Sequence, residues 1–219
     1  MTKTISVVLT SGGINSAVAA ALEAQECRLA LLHLQYGQQA QDPERRAFEA
    51  LCDWLSPQEH QIATLGDWPQ LTGSALVEPQ HDIEDAAAVS GFAAASTFVP
   101  MLSPIMLCAA AAWAQKLGAQ RLVWGICADN PGRYPDHSDT ARLLAWQLIG
   151  QCLGDRLARK VEAPLAQYPK AAVVSLARQL NVPLDATWSC LRGGHEPCRR
   201  CIGCVARKAA MAPVAAKKN

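Results

Sequence analysis

The feature that most constrains this chain lies at its start, where one short stretch changes from strand periodicity to helix periodicity across a pair of glycines. The apolar, β-branched run Ile5 to Leu9 ends in Thr10-Ser11-Gly12-Gly13, and Ala17, Val18, Ala21 and Leu22 follow at helical spacing. This predicts a buried strand, a tight loop and a helix. The alternation then repeats. Leu29 to Leu34 predicts a second strand, and Asp42-Pro43-Glu44 opens a helix with a capping residue and a proline in its first turn. Ser103 is placed to cap a further helix with Pro104 in its first turn and Ile105 to Leu117 as its apolar body, and Arg121 to Cys127 predicts another buried strand. Asp139 to Leu153 and Lys170 to Leu180 read as helices lying on a sheet. Strands alternating with helices of this length specify an α/β fold with a doubly wound parallel sheet, whose ligand sites lie at the carboxyl ends of the strands. The first such end is the Ser-Gly-Gly loop. From Gly66 to Ser96 the pattern dissolves into prolines, acidic residues and small side chains, which predicts a long surface segment that orders over a ligand or a partner.

With 219 residues, half of them apolar, the chain can bury one substantial core with a small appendage. Its 20 basic and 19 acidic residues nearly cancel and form no basic stripe, which argues against duplex nucleic acid as a partner. No apolar run reaches the roughly 20 residues that span a bilayer, and the opening stretch reads as a strand rather than a signal peptide, so a cytoplasmic protein is expected. Without an export signal the nine cysteines read as free thiols or metal ligands, not disulfides. Cys27, Cys52, Cys108, Cys127 and Cys152 stand singly in apolar stretches and are expected to be small buried hydrophobes.

Two constellations carry chemistry. Glycines where a strand feeds a helix let backbone N–H groups approach an anion, so Ser11-Gly12-Gly13-Ile14-Asn15-Ser16 reads as a phosphate loop, with a plain turn as the alternative. Cys190-x7-Cys198-x2-Cys201-x2-Cys204 has the spacing of a tetrahedral zinc site, with an iron–sulfur or redox-labile cluster as the alternative. Four thiolates leave no open coordination position, so this zinc is expected to be structural.

The loop resembles the SGGxDS loop of the ATP pyrophosphatase superfamily, matching at Ser11, Gly12, Gly13 and Ser16. Around the cysteines, Thr187-Trp188-Ser189-Cys190, Gly193-Gly194 and Glu196-Pro197-Cys198 resemble the TWSC, GG and PC elements of the 7-cyano-7-deazaguanine synthase family. Tyr36-Gly37-Gln38, Phe98-Val99-Pro100, Tyr134-Pro135-Asp136 and Lys170 fall in that family's order, so the similarity runs over nearly the whole chain. The resemblance implies an adenine nucleotide alpha hydrolase-like α/β domain over residues 1–186 and a zinc-binding segment over 187–219 packed on it. It implies a carbon–nitrogen ligase that uses ATP and Mg2+ to adenylate a 7-deazaguanine carboxylate, form its amide with ammonia and dehydrate the amide to a nitrile. On this analogy Ser11, Gly12, Gly13, Asn15 and Ser16 cradle phosphate, and Lys170 neutralises charge on the phosphates. Asp136 is the second catalytic candidate, and Tyr36, Gln38 and Tyr134 belong to the nucleotide or base pocket. The family also suggests a homodimer.

This chain departs from the family at several polar positions. Asn15 replaces the family's aspartate, a loss of negative charge at a position suited to magnesium. Met101-Leu102-Ser103 stands where the family has GRN, Gly125-Ile126-Cys127 where it has GxN, and Asp136-His137-Ser138 where it has DCR. Two alternatives follow: a paralogue that joins the activated 7-deazapurine to another amine, such as one on a protein acceptor, or a binding scaffold that has lost catalysis.

Overall fold

The computed structural model describes residues 3–88, 96–129, 134–154 and 161–212. In chain order the elements are strand β1 (Ile5–Leu9), helix α1 (Ile14–Glu26), β2 (Arg28–Gln35), α2 (Gln41–Leu55) and the edge strand β3 (Glu59–Thr64). After a long connection come α3 (Leu102–Leu117), β4 (Arg121–Trp124), α4 (Asp139–Leu153), the short β5 (Val161–Glu162), α5 (Lys170–Gln179) and α6 (Ile202–Met211). The strands form one sheet in the order β3-β2-β1-β4-β5, and every pairing is parallel.

Two apolar layers follow from the twofold alternation of side chains along each strand. Val8 of β1 with Leu29 and Leu31 of β2 faces α1, α2 and α5, where Phe48, Leu51 and Val173 are buried. Their neighbours Val7, Leu9, Leu32 and Leu34 face α3 and α4, where Leu107, Ala110 and Ile149 are buried. Helices therefore cover both faces, as a doubly wound sheet requires. The chain lays β2 and β3 on one side of β1, then returns to lay β4 and β5 on the other. The crevice at that reversal, between the carboxyl ends of β1 and β4, is where such folds hold ligands.

Several boundaries differ from expectation for local reasons. The strand expected over Arg121 to Cys127 stops at Trp124, because Gly125 passes so close to α1 that a Cβ there would lie 2.8 Å from the Ser16 backbone nitrogen. Asp42 does not cap α2, which begins one residue earlier with Ala40 at the cap position; Asp42 and Glu44 instead lie in the first turn, where acidic charge suits the helix dipole. Ser103 does not cap α3 either. That helix begins at Leu102 after a left-handed Met101, and the Ser103 N–H donates to the Asp136 carboxylate at 3.1 Å. Cys152 is exposed on α4, contrary to the expectation of a buried thiol, and Cys108 is only half-buried. β3 has an exposed, polar amino-terminal half that gives no strand signal, as befits an edge strand, and α6 was hidden inside a segment read only for its cysteines.

The connection over Gly66 to Ser96 is more than a surface loop in its described part. Leu76, Val77 and Ile83 are buried, and its far end pairs with the cysteine-rich segment through an Asp85–Cys201 bridge and a hydrogen bond from the Ala86 N–H to the Arg200 carbonyl at 2.8 Å. Residues 89–95 of that connection and 213–219 of the expected zinc segment lie outside the described residues. Among the described residues no helix is long and apolar enough to cross a membrane.

Candidate active site and metal centre

At the carboxyl ends of β1 and β4 opens a cavity of about 850 Å³. Its floor is the Ser11–Ser16 loop. Gly12 holds a φ of +80°, and a Cβ there would lie 2.7 Å from both the Ala47 Cβ and the Glu44 carbonyl oxygen, so only glycine lets the loop pass beneath α2. Within the loop the Gly13 N–H donates to Ser11 Oγ at 3.3 Å, and Ser16 Oγ donates to the Gly13 carbonyl at 3.0 Å. Ser11, Gly13, Asn15 and Ser16 line the cavity. Gly12 shapes the loop from behind, and its carbonyl accepts from the Trp188 N–H at 2.9 Å.

Lys170, the first residue of α5, reaches across to the loop. Its Nζ donates to Asn15 Oδ1 at 2.6 Å, and its backbone N–H donates to the Asp129 carboxylate at 2.5 Å. Burial pushes the Lys170 ammonium below its ordinary pKa. It is the one lysine or arginine lining the cavity among the described residues, so any anion there meets a single concentrated positive charge. Beside it His137 packs edge-on against Trp124, with ring centroids 4.7 Å apart, and hydrogen-bonds Ser103 Oγ at 3.4 Å. Burial first, then the Lys170 charge, lowers His137 to about 4, so it is neutral at physiological pH.

Asp136, expected from sequence as a catalytic group, lines the cavity and also closes the start of α3 through the Ser103 N–H. Burial raises its pKa against the opposing pull of those backbone hydrogen bonds. Tyr134 lines the same wall, its hydroxyl 2.7 Å from Thr97 Oγ1. Tyr36 also lines the cavity and is buried, its phenol pKa raised well above ordinary by burial. Gln38 does not line the cavity. Its Oε1 accepts from the Tyr36 N–H at 2.9 Å and its Nε2 donates to Glu44 Oε2 at 2.9 Å, so it positions a carboxylate that does. Glu44, His137 and Asp129 were not singled out from sequence. Glu44 read as an ordinary first-turn acid, and only its partnership with Gln38 sets it apart.

The second constellation lies beside this cavity. The four sulfurs of Cys190, Cys198, Cys201 and Cys204 all lie within 4.8 Å of one another. Two cross-pairs, Cys198–Cys204 and Cys190–Cys201, are 3.9 and 4.0 Å apart. A tetrahedron with zinc–sulfur bonds of about 2.3 Å has edges of about 3.8 Å, so the donor set and its spacing fit zinc. Backbone N–H groups of Leu191, Cys198 and Cys201 point at the sulfurs of Cys201, Cys190 and Cys198, the outer-shell support that thiolate ligands require. This corner is tied to the cavity floor: Trp188 bonds Gly12 through its backbone and Cys190 through its indole N–H, and Arg207 of α6 grips the Thr187 hydroxyl at 2.7 Å.

The chain is 32% identical over 204 residues to a 7-cyano-7-deazaguanine synthase from Acidobacterium capsulatum, an alignment covering 92% of this chain and 89% of that one. It is 33% identical over 218 residues to the enzyme of the same name from a Synechococcus strain, covering 96% and 94%. Among solved structures, an NMN synthetase from Francisella tularensis aligns with a TM-score of 0.49 at 17% identity, over 89% of this chain and 70% of that one. The family model described as queuosine biosynthesis protein QueC matches residues 5–215, and with relatives of this similarity over almost the full length the chain belongs to the QueC family.

Proposed function

We propose that this protein is an ATP-dependent enzyme that activates the carboxylate of a 7-deazaguanine and converts it, through the amide, to the nitrile. The observation that carries the reading is the Lys170–Asn15 bond, which places a cavity-lining lysine on the loop suited to phosphate, inside a pocket large enough for a nucleotide and a second flat ring. Relatives named for the nitrile product supply the substrate.

Each residue then has a task. Backbone N–H groups of the Ser11–Ser16 loop and the start of α1 face the polyphosphate. A substrate carboxylate oxygen attacks the α-phosphorus of ATP, pyrophosphate leaves, and the negative charge that gathers on it is met by Lys170. Ammonia displaces AMP from the acyl group to give the amide; the amide oxygen then attacks the α-phosphorus of a second ATP with loss of pyrophosphate, and AMP departs carrying that oxygen while nitrogen gives up two protons to leave the nitrile. Magnesium carried by the phosphates would supply further charge neutralisation, and of the cavity-lining residues Asp129, with its carboxylate, and Asn15, with its amide oxygen, would be the ones to hold it. Cys190, Cys198, Cys201 and Cys204 would hold a structural zinc, whose binding would steady the Trp188 segment that bonds Gly12.

Asn15 favours a rival reading, a scaffold without turnover, because it lacks the negative charge of an aspartate. The test is release of AMP and pyrophosphate by zinc-loaded protein given ATP, magnesium, 7-carboxy-7-deazaguanine and ammonia, with products identified by mass, in the wild type and in Asn15→Asp. Nitrile formation by the wild type supports the synthase, and turnover rising several-fold in Asn15→Asp locates the handicap at magnesium. A wild type that releases no AMP with either ammonia or a protein amine supports the scaffold.

A further inference from the structure

We infer that Glu44 is the specificity residue for the guanine-type base, its carboxylate accepting the ring N–H and the exocyclic amine of the substrate's amidine edge. This rests on the substrate class proposed above and extends it to a residue that nothing in the motif pattern marks.

Glu44 lines the cavity from the first turn of α2. Gln38 Nε2 holds its Oε2 at 2.9 Å, and Gln38 is itself buried and locked by the Tyr36 N–H. Among the described residues no lysine or arginine pairs with Glu44, so its charge is unbalanced by protein. A carboxylate has four lone-pair positions, and one donor from Gln38 leaves both oxygens able to accept. Nearby, Tyr36, Leu76, Val99, Met106 and Leu191 pack as one apolar cluster, and each of them lines the cavity. Flat apolar walls with a single fixed acceptor pair suit a planar ring that presents two adjacent N–H donors.

Charge sign argues for the base over the triphosphate. Once ionised, a carboxylate lining this pocket repels phosphate and attracts donors, whereas phosphate is served by Lys170. A guanine-type ring presents N1–H and the 2-amino group side by side, at the spacing of two carboxylate oxygens, and charge-assisted pairs of this kind are the stronger class of hydrogen bond. Burial raises the Glu44 carboxyl to about 7, and a ligand that donates two hydrogen bonds stabilises its charged form.

The experiment is equilibrium binding to full-length, zinc-loaded protein of three probes: 7-carboxy-7-deazaguanine, its analogue lacking the 2-amino group, and ATP with magnesium. Wild type is expected to prefer the amino-bearing ring by about 100-fold or more, because a site built around a donor leaves its acceptor unpaired when the donor is missing. Glu44→Gln, matched for fold by circular dichroism and melting, is expected to weaken that ring by about 100-fold, cut the preference to within a few-fold and leave ATP unchanged. Glu44→Asp should retain part of the preference. The inference is overturned if Glu44→Gln weakens ATP instead, if the preference survives in the variant, or if wild type binds neither ring. Base binding with the expected preference but no AMP release sinks the proposed reaction and leaves this contact standing; turnover with an unchanged preference in Glu44→Gln does the reverse.

Discussion

Lys170 and Asn15, 155 residues apart in sequence, meet through a 2.6 Å hydrogen bond from the ammonium to a side-chain carbonyl of the Ser11–Ser16 loop. An aspartate at position 15 would form an ion pair that holds Lys170 charged; the neutral amide fixes the lysine in place without neutralising it, and leaves the compensating charge to Asp129. The site is thus more electropositive than an aspartate-bearing one, with Asp129 and Asp136 as the nearby carboxylates.

This geometry makes Lys170 the residue whose loss should be felt in chemistry more than in folding. Lys170→Gln can still hydrogen-bond Asn15 but carries no charge. Turnover measured by pyrophosphate release is expected to fall by roughly 100- to 1,000-fold, with the melting temperature within a few degrees of wild type. A variant that keeps more than a tenth of wild-type turnover would remove Lys170 from the charge-stabilising role.

The cysteine corner should fail as a unit. Cys201 is fully buried and its N–H and sulfur both take part in the cluster. Cys201→Ala is expected to purify with little zinc by elemental analysis and to melt roughly 10 °C lower. Because Trp188 links this corner to Gly12, ATP binding should weaken with it. Full zinc content in the variant would contradict the assignment of these four sulfurs.

Two glycines with nearly the same backbone angle should respond differently to alanine. Gly12 at φ +80° is walled in by α2, whereas Gly37 at φ +82° has nothing within 4 Å of a built Cβ. Gly12→Ala adds steric conflict to backbone strain and is expected to cost about 2–5 kcal/mol, against about 1 kcal/mol for Gly37→Ala, in urea denaturation. Equal costs would mean that the close approach to α2 relaxes freely.

Glu44 predicts a pH signature of stability. Its carboxyl titrates at about 7 in the folded chain against an ordinary 4.5, so between those values the folded state holds more protons than the unfolded one. Stability contributed by the protonated form is complete below pH 4.5 and is lost as pH rises through about 7. Glu44→Gln cannot ionise, so its stability relative to wild type should be higher at pH 8 than at pH 5 by ~2–3 kcal/mol, read from denaturation midpoints at the two pH values. A gain that is the same at both values would place the carboxyl outside the buried pocket.

Much of the scaffold was legible before the structure, because its signals are local. β1, α1, β2 and α4 follow from strand or helix periodicity within their own segments, and the four cysteines announce their cluster by spacing alone. β3 was silent for a physical reason: an edge strand keeps its amino-terminal half in water, so its sequence carries no apolar run. The caps were misplaced for another. The Ser103 N–H is satisfied by Asp136 from 33 residues away, a partner that no local rule can nominate.

The same division holds for the site. By itself the sequence determined that a glycine loop follows the first strand, that four thiols lie in metal spacing, and that Lys170 opens a helix, since each depends on neighbours along the chain. Only the tertiary structure decided that Lys170 reaches Asn15, that Gln38 serves Glu44 instead of lining the cavity, and that the cysteine corner bonds to the Ser11–Ser16 loop. Those relations join side chains through space, and they exist only once the parallel sheet has set the carboxyl ends of β1 and β4 side by side.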